Sequence, residues 1–443
     1  MKRTVLFVGF QFIFFLPLLC SQDSISVRHM IEMLSAREMY GRSIAYGGEH
    51  RAAKYIRSVL QETKTQSLGN DYFQSYNFPG FAMEGKVSLS INRLELNPFD
   101  DYRIYPFSKS MSQQEIPIIT ADPLILTDKA KQAKFIKKQG DKLKNSFLYF
   151  DISKLDKIKD EYQRNTIKYE VYQLGTNRKN ELFGALGYLI GDVKLPVIGL
   201  SGTTYECPYA YIYILADKMK GAKTLSVDYT TRFVHHRANN VVAKIEGTVQ
   251  PDSFIVFTAH FDHIGCMGEE VIFHGAHDNA SGVATVLSLA QYFSENPLPY
   301  SVVFCLFSGE EGGLRGSNYF VQNPLIPLDK IRMLLNLDMF CGGNDGIMVV
   351  NSKTGLPAVF YNQLVKINED KQYLPAIKSR PNTQNSDHFP FTEKEVPALF
   401  IYTMGGQYGD YHEYTDTVAN CGLSQWENVF WLIVEWAKGI SES

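Results

Sequence analysis

The C-terminal half of the chain alternates between continuous apolar runs and segments in which apolar residues recur every three or four positions. The continuous runs predict strands and read, in order, NNVVAKIEG, DSFIVFTAH, SVVFCLF, MLLNLDM, GIMVVN and ALFIYT. Helical spacing predicts helices at 280–294, Arg315–Gln322 and 426–438. Strands that are apolar on both faces and alternate with helices are typical of a mostly parallel sheet covered on both sides. We therefore expect an α/β three-layer sandwich.

The preceding part of the chain contains two stretches of different character. Helical spacing runs through 51–60, and 72–78 alternates like a strand. Further on, short strand-like runs (VSLSI, SFLYFDI, ALGYLIGD and YAYIYIL) are separated by polar, Lys-rich pieces at 129–144 and 154–168. No group of potential ligands gathers there. We therefore predict that residues 22–84 and 238–443 form one domain, and that residues 85–237 are a separate, mostly β insertion.

The composition is that of an ordinary soluble globular protein, with 45% hydrophobic and 21% charged residues among 443. The 44 Lys and Arg residues nearly balance the 47 Asp and Glu residues, and no run of like charge stands out. Proteins that bind nucleic acid or anionic membranes concentrate positive charge. We therefore expect neither DNA, RNA nor an anionic membrane surface among the partners of this chain.

The N-terminus has the pattern of a secretory signal. A basic start precedes an apolar run at 5–19, and two small residues follow it. That run is short for a bilayer-spanning helix of about 20 residues, and no later stretch is apolar enough to span a membrane. We predict that residues 1–21 are a signal peptide and that the protein is exported to the periplasm or the extracellular space. Acylation of Cys20 would instead anchor it to lipid, although Leu19 is larger than that processing usually accepts.

The six cysteines are scattered along the chain without a C-x-x-C pair. Five remain once the signal is removed, which is an odd number for a disulfide framework. One disulfide is possible, with partners that the spacing does not identify. Cys305, inside the apolar run SVVFCLF, is most simply a small core residue.

Five short motifs in the C-terminal half each carry a residue that commonly binds metal. The motifs are AHFDHIG, GAHDNASG, SGEEGG, NLDMF and YHEYTDT, with candidate ligands His260, Asp278, Glu311, Asp338 and His412. Two imidazoles and three carboxylates suit two zinc ions, if each ion takes one His, one carboxylate and a share of a bridging carboxylate. Three of the motifs come at the ends of predicted strands, and the carboxyl ends of parallel strands meet at one edge of a sheet. The chain is therefore predicted to be a two-metal hydrolase.

The neighbours of these residues predict more specific roles. Asp262, two positions after His260, could hold the imidazole in the tautomer that leaves one nitrogen for metal, whereas alone such a pair is usually a surface ion pair. Asp278 lies among small residues that let the backbone approach a metal, which favours a bridging ligand over a helix N-cap. Adjacent Glu310 and Glu311 cannot easily point the same way. One therefore suits ligation and the other general-base chemistry.

Further side chains near the motifs are predicted to support the site rather than to bind metal. They are Asp387, His388, Asp416 and Tyr411. Asp416 is placed to orient the last imidazole or to cap its loop. Three more imidazoles, His263, His274 and His277, are expected to be structural or to contact ligands. The sequence contains neither the H-E-x-x-H nor the G-x-S-x-G motif, so competing catalytic signatures are absent from it.

Taken together, the five motifs resemble the co-catalytic di-zinc aminopeptidase family, which also holds glutamate carboxypeptidases and glutaminyl cyclases. The resemblance covers most of 27–78 and all of 239–443, and it implies a fold of the zinc-exopeptidase type. The inserted segment (residues 85–237) resembles a protease-associated domain through FGALGYLIGD and its short strands.

The resemblance also implies how two zinc ions are held. One would bind His260, Asp278 and Asp338, and the second would bind Asp278, Glu311 and His412. The other implied features are Glu310 as general base, Asp262 as the partner of His260, and a cis peptide bond at Asp278–Asn279. The implied reaction is zinc-dependent removal of N-terminal residues from peptides with a free N-terminus.

Three alternatives remain on the same fold. A glutaminyl cyclase typically uses one zinc and lacks the Gly-rich continuation present here as GEEGGLRGS. A carboxypeptidase or dipeptidase acting on acidic peptides is the second alternative. A non-catalytic binding module is the third, but it would be expected to have lost ligands, whereas all five and Glu310 are present. Mixed His and carboxylate sites also accept cobalt or manganese in place of zinc.

Overall fold

A computed structural model describes residues 24–176, 183–197 and 206–441. The predicted signal peptide (residues 1–21), with Cys20, lies outside the described residues. The helices are α1 (Ser24–Leu34), α2 (Gly48–Gln61), α3 (Lys129–Gln139), α4 (Glu161–Thr176), α5 (Ser281–Glu295), α6 (Arg315–Gln322), α7 (Gly355–Lys371), α8 (His388–Thr392) and α9 (Trp426–Ser441). Across the described residues, none of these helices has the length and apolar character needed to cross a membrane.

The strands lie mainly in one large sheet. They are β1 (Gln66–Ser67), β2 (Phe73–Ile91), β3 (Leu94–Glu95), β4 (Tyr102–Ile104), β5 (Met111–Ala121), β6 (Phe147–Asp151), β7 (Gly187–Asp192), β8 (Ala210–Leu215), β9 (Thr224–Ile245), β10 (Gln250–His260), β11 (Cys266–Met267), β12 (Val271–Ile272), β13 (Tyr300–Phe307), β14 (Ile331–Leu337), β15 (Ile347–Val350), β16 (Ile377–Arg380) and β17 (Ala398–Thr403). The order across the main sheet is β16-β15-β17-β14-β10-β13-β9-β5-β6-β7-β8-β4.

The centre of this sheet is parallel. Strand β10 pairs in parallel with β13 on one side and with β14 on the other, and β14 pairs in parallel with β17. Every residue of β13 is buried, as its continuous apolar run predicts. Antiparallel pairs occur beside this centre, between β15 and β17 and between β13 and β9. The predicted mostly parallel sheet is confirmed.

Helices cover both faces of the sheet. On one face, Phe257 of β10 stacks on Phe293 of α5, in a cluster that also takes in α1, α2 and α9. On the other face, Phe307 of β13 contacts Phe320 of α6 and Phe391 of α8, with ring centroids 5.8 and 6.0 Å apart. Cys305 is buried in this second cluster. The predicted three-layer sandwich and the core position of Cys305 are confirmed.

The inserted segment contributes its own parallel strands, β5 to β8, together with two helices. The Lys-rich pieces, for which the sequence analysis predicted no structure, form α3 and the first half of α4. Lys, Gln and Ala favour helices, and Asp128 caps α3 by accepting the N–H groups of Ala130 and Lys131. Asp160 accepts the N–H of Tyr162 in the same way at the start of α4. Helices therefore accompany the strands of this segment.

Two long strands join the inserted segment to the central sheet. Strands β2 and β9 pair antiparallel from Phe73 opposite Val241 to Ile91 opposite Leu225. The domain boundaries suggested by composition, after residues 84 and 237, both lie inside these strands. The two parts of the chain are therefore connected by a paired ribbon rather than by loops.

Candidate metal centre

The five predicted ligands converge at one edge of the sheet. His260 Nε2 lies 3.3 Å from Asp278 Oδ1 and 3.3 Å from Asp338 Oδ1. His412 Nε2 lies 3.2 Å from Asp278 Oδ2 and 3.1 Å from Glu311 Oε1. Each carboxylate oxygen of Asp278 thus faces a different imidazole. This is the arrangement expected of a carboxylate that bridges two ions.

The topology explains why residues so far apart in sequence meet here. His260 is the last residue of β10, Asp338 directly follows β14, and Glu311 lies in the loop after β13. These three strands are neighbours and run parallel, so their carboxyl ends reach the same edge. His412 enters from a loop in which its own backbone is left-handed, with φ of 55°.

Asp278 is held by a tightly packed turn before α5. The turn begins at Gly275, whose φ of +60° suits glycine. Asn279 fixes its far end, since its amide group donates to Leu337 O at 3.0 Å and accepts the N–H groups of Gly282 and Met339. The peptide bond between Asp278 and Asn279 is cis, as the resemblance implies. The turn and the loop carrying Asp338 are therefore locked together.

The two adjacent glutamates face different groups. Glu311 contacts His412 through Oε1, which also lies 3.0 Å from His263 Nδ1. Glu310 lines an open cleft of about 460 Å³ together with four of the five candidate ligands, all except His412. Glu311 therefore lies among the candidate ligands, whereas Glu310 faces the cleft without contacting either candidate imidazole ligand within ion-pair distance.

Asp262 contacts the site differently from the prediction. His260 Nδ1 lies 3.1 Å from the backbone carbonyl of Asp262 but 3.8 Å from its carboxylate. The carboxylate instead accepts the backbone N–H groups of Glu310 and Glu311, at 3.1 and 3.2 Å. The chain turns after β10 so that this side chain reaches the loop after β13. The backbone therefore orients His260, and the carboxylate of Asp262 holds the two glutamates in place.

The supporting residues are in the same region, in roles that differ in detail. Asp416 accepts the N–H groups of His277 and Asp278, so it caps the Asp278 turn and does not orient His412. Tyr411 stacks on the His412 ring at 3.9 Å and lines the cleft.

Asp387 and His388 lie outside both groups of candidate ligands. Asp387 accepts a hydrogen bond from Ser317 Oγ, and His388 Nε2 pairs with Asn382 Oδ1 at 3.1 Å. Their neighbour Ser386 makes the contact with the ligands, since its hydroxyl donates to Asp338 Oδ2 at 2.9 Å. In the segment SDHFPF (residues 386–391), Ser386 is therefore the residue that contacts a candidate ligand.

Sequence reasoning missed Arg42. This residue is fully buried and donates hydrogen bonds to the backbone carbonyls of Leu34, Phe261, His274, Gly275 and Asp278. Burial lowers the pKa of Arg42 to about 10, against the opposing effect of nearby carboxylates, so the side chain stays charged at neutral pH. No local pattern marks such a residue, because its partners lie 8 to 236 positions away.

His263 also has a closer contact than predicted. It is buried, and its Nδ1 is within hydrogen-bonding distance of Glu311 Oε1 and 3.8 Å from Asp278 Oδ2. Burial lowers the pKa of His263, which favours the neutral ring. A neutral ring with its proton on Nδ1 donates to Glu311 and orients that carboxylate.

The donor atoms fit a pair of divalent ions. Asp338 Oδ1 and His412 Nε2 are buried and have no hydrogen-bond partner within the part of the chain that the structure describes, although they lie 3.1 to 3.3 Å from facing ligand atoms. Unpartnered buried polar atoms are rare in proteins, and lone pairs that point to a shared space suit a metal. Burial opposes charge on His260, but Asp338 and Glu310 raise its pKa well above the usual value. Positive charge is therefore favoured in this position.

A second group of possible ligands provides a contrast. Glu49, His50 and His236 also lie close together. There, both imidazoles pair with Glu49 Oε2 at 3.0 Å. None of their buried atoms is left without a partner among the described residues. Hydrogen bonding accounts for that group without a metal.

Part of the chain that carries the candidate ligands is similar to known protein families. Residues 240–437 match the family model of Peptidase family M28. A vacuolar membrane protease of Candida glabrata is 25% identical over 184 residues, which is 42% of this chain and 17% of that protein. A probable leucine aminopeptidase 2 of Aspergillus oryzae is 28% identical over 176 residues (39% and 33%), and a probable zinc metalloprotease of Pyrenophora teres is 31% identical over 180 residues (37% and 37%). The chain thus spans 17 to 37% of the length of these relatives.

Solved structures resemble the chain over nearly its whole length. BSAP, a zinc aminopeptidase from Bacillus subtilis, aligns with a TM-score of 0.64 over 93% of this chain and 95% of that one, at 17% identity. A Peptidase M28 precursor from Shewanella amazonensis aligns with a TM-score of 0.66 over 96% and 94%, also at 17% identity. At this identity the likeness establishes the fold. Residues 240–437, which carry all five candidate ligands, are therefore similar to Peptidase family M28 and share the fold of these structures.

Proposed function

We propose that the chain is an aminopeptidase that removes N-terminal residues from peptides, with two zinc ions per chain and Glu310 as general base. One observation carries the proposal: the two oxygens of Asp278 face two separate sets of ligands, each with one imidazole and one further carboxylate. The names of several relatives and solved structures, which include aminopeptidases, agree with it.

His260, Asp278 and Asp338 would hold one ion, and Asp278, Glu311 and His412 would hold the other. Bound zinc supplies Lewis-acid polarisation of the scissile carbonyl and lowers the pKa of water to about 7. Glu310 lines the cleft beside the ligands, where its carboxylate can take a proton from the attacking water and pass it to the leaving amine.

The free amino group of the substrate distinguishes an aminopeptidase from an endopeptidase. The inner end of the cleft is acidic, since Glu310, Glu311 and Asp338 all line it. Two divalent ions would balance the charge of these three carboxylates and Asp278, which also lines the cleft. A substrate ammonium group would therefore gain from a direct charge-assisted hydrogen bond to a carboxylate oxygen of the cleft, and not from a net negative potential. A peptide with a blocked N-terminus lacks that interaction.

We also propose that the protein acts outside the cytoplasm. The signal-like N-terminus is one support. The second is a disulfide between Cys341 and Cys421, because such bonds persist mainly in oxidising compartments. A lipid anchor on Cys20 is an alternative form of this proposal. It is tested by comparing the membrane and soluble fractions of cells that express Cys20→Ala with those of cells that express the unaltered chain.

The function is tested with a panel of short peptides. The panel compares free with acetylated N-termini and includes peptides that begin with Gln, each with and without a chelator. We expect release of N-terminal residues only from free amines, loss of release on chelation and recovery with zinc. Cyclisation of Gln peptides without hydrolysis, or release from the C-terminus, would overturn the proposal.

The number of ions is tested separately by metal analysis. We expect two zinc ions in the unaltered chain and one in His412→Ala, because His412 contributes to one ligand set alone. Asp278→Ala should bind fewer than one, because it removes a ligand from both sets. A single ion in the unaltered chain would contradict the two-zinc proposal.

A further inference from the structure

Arg380 stands out among the residues of the cleft because its charge has no partner in the described parts of the chain. It is the last residue of β16, is half-buried, and lines the same cleft as the metal ligands. Its guanidinium donates to the Tyr402 hydroxyl at 3.1 Å and to Thr383 Oγ1 at 3.4 Å. Neither partner carries a charge, and no carboxylate among the described residues pairs with Arg380.

Two other arginines near the centre, Arg42 and Arg103, use their guanidinium groups in several contacts. Arg42 donates to five backbone carbonyls, and Arg103 pairs with the Glu413 carboxylate. A guanidinium has five N–H donors in a fixed plane, and the two bonds above leave others of Arg380 available. A planar cation of this kind binds a carboxylate with two parallel hydrogen bonds. Arg380 therefore offers what an anionic substrate group would need.

The remaining wall of the cleft suits the rest of such a substrate. Met339, Phe400 and Met404 provide apolar surface, and Asn385 adds an amide group. Methylene groups of a substrate would pack on the apolar residues, while its carboxylate would reach the guanidinium.

We propose that Arg380 binds a carboxylate of the substrate, so that the enzyme prefers peptides carrying one close to the scissile bond. The inference rests on the proposed aminopeptidase function and adds a substrate class to it. The carboxylate has two possible sources: the side chain of an Asp or Glu residue at the N-terminus, or the C-terminus of a dipeptide. Both present the same group to Arg380, and the experiment separates them.

A purely structural role makes a different prediction. If Arg380 only braces Tyr402 and Thr383, its removal disturbs the wall of the cleft for every substrate alike. Selective loss with carboxylate-bearing substrates is therefore the informative result.

The experiment compares the unaltered protein with Arg380→Met, Arg380→Lys and Lys378→Met. Lys378 lies on the same strand, is exposed, and does not line the cleft, so its variant is the matched control. The substrates are a tripeptide amide beginning with Glu, the same peptide beginning with Gln or Leu, and a Leu dipeptide with a free or amidated C-terminus. Thermal unfolding of each variant is recorded in parallel.

We expect Arg380→Met to lower kcat/KM about 10- to 100-fold, mainly through KM, for one of the two carboxylate-bearing substrates, which are the Glu peptide and the Leu dipeptide with a free C-terminus. Its neutral counterpart should change less than about threefold, and Arg380→Lys should fall between. Loss with the Glu peptide identifies the side chain as the source, and loss with the free dipeptide identifies the C-terminus. Equal changes with all substrates, or no change, would overturn the inference. If the unaltered protein cleaves no peptide in this set, neutral or acidic, the result contradicts the proposed aminopeptidase function and not only the role of Arg380.

Discussion

Replacing Arg103 with methionine tests whether the inserted segment helps to hold the metal centre. Arg103 lies in β4, and its NH2 group is 3.0 and 3.2 Å from the two carboxylate oxygens of Glu413. Its NH1 group donates to Pro196 O at 2.6 Å, and the guanidinium lies 3.7 Å above the Phe99 ring. Glu413 directly follows the candidate ligand His412.

The contacts of Arg103 and Glu413 indicate that Arg103→Met lowers the free energy of unfolding by about 3 kcal/mol. Charge-assisted hydrogen bonds contribute about 1.5 to 3 kcal/mol, and a cation–π contact of this kind adds about 1 kcal/mol. The side chain of Arg103 is 8% exposed, but that of Glu413 is 21% exposed and can regain water. The loss of unfolding free energy should therefore lie at or below the lower end of the roughly 3 to 5 kcal/mol that is typical of breaking a fully buried ion pair.

The same substitution should weaken metal binding, because the Glu413 contact restrains the loop that carries His412. A second contact restrains it too, since the Tyr414 hydroxyl donates to Asp100 Oδ1 at 3.1 Å. Groups that orient a ligand typically contribute about 10- to 100-fold to metal affinity or activity. We expect a loss at the lower end of that range for Arg103→Met, confined to one of the two ions.

The assay combines chemical denaturation with zinc titration. Arg232→Met is the control, because Arg232 pairs with Glu84 on the exposed surface of the same segment, where such pairs contribute under about 1 kcal/mol. A double-mutant cycle with Glu413→Gln should give a coupling energy above about 1 kcal/mol. If Arg103→Met lowers stability but leaves zinc affinity and kcat/KM unchanged, the inserted segment does not hold the His412 loop.

Three further predictions concern other parts of the site. Glu310→Gln should lower kcat about 10²- to 10⁴-fold while leaving the zinc content unchanged, and retained activity would exclude it as the general base. Arg42→Met should destabilise the fold by more than about 4 kcal/mol, because it leaves several buried carbonyls without donors, whereas the control Arg51→Met removes one exposed hydrogen bond. A small difference between these variants in denaturant would contradict that reasoning. Burial disfavours the charged form of Glu49, but hydrogen bonds from His236 and His50 lower its pKa from 4.5 to about 2. The stabilisation from the charged Glu49 is therefore present above pH 4.5 and lost as pH falls through 2. Glu49→Gln should lower the free energy of unfolding by about 3 kcal/mol at pH 7 and by progressively less in acid. A difference in unfolding free energy that stays constant with pH would refute this.

The elements of the C-terminal half were predictable because their signals are local. The helix predicted at 280–294 is observed at Ser281–Glu295, and the one predicted at 426–438 extends to Ser441. The candidate ligands could be found for the same reason, since each lies in its own short motif at the end of an element. The Lys-rich helices were missed because their apolar content is low, although Asp128 and Asp160 are readable cap signals.

Features that depend on distant parts of the chain could not be predicted. The disulfide joins Cys341 to Cys421 across 80 positions, and the spacing of the cysteines did not identify it. The contacts of the Asp262 carboxylate depend on how the chain turns after β10, which alternation along a strand cannot show. The burial of Arg42 depends on loops more than 200 residues away.

Strand β9 has a consequence for how the molecule unfolds. Near its start it pairs with β5 of the inserted segment, and near its end it pairs with β13 of the central sheet. It also pairs with β2 along most of its length. Opening the sheet on either side of β9, in the inserted segment or in its central part, therefore removes hydrogen-bonding partners from a strand that both parts share. We expect the inserted segment and the domain that carries the candidate metal centre to unfold as a single cooperative unit, without the independently melting domain that an insertion on flexible linkers would give.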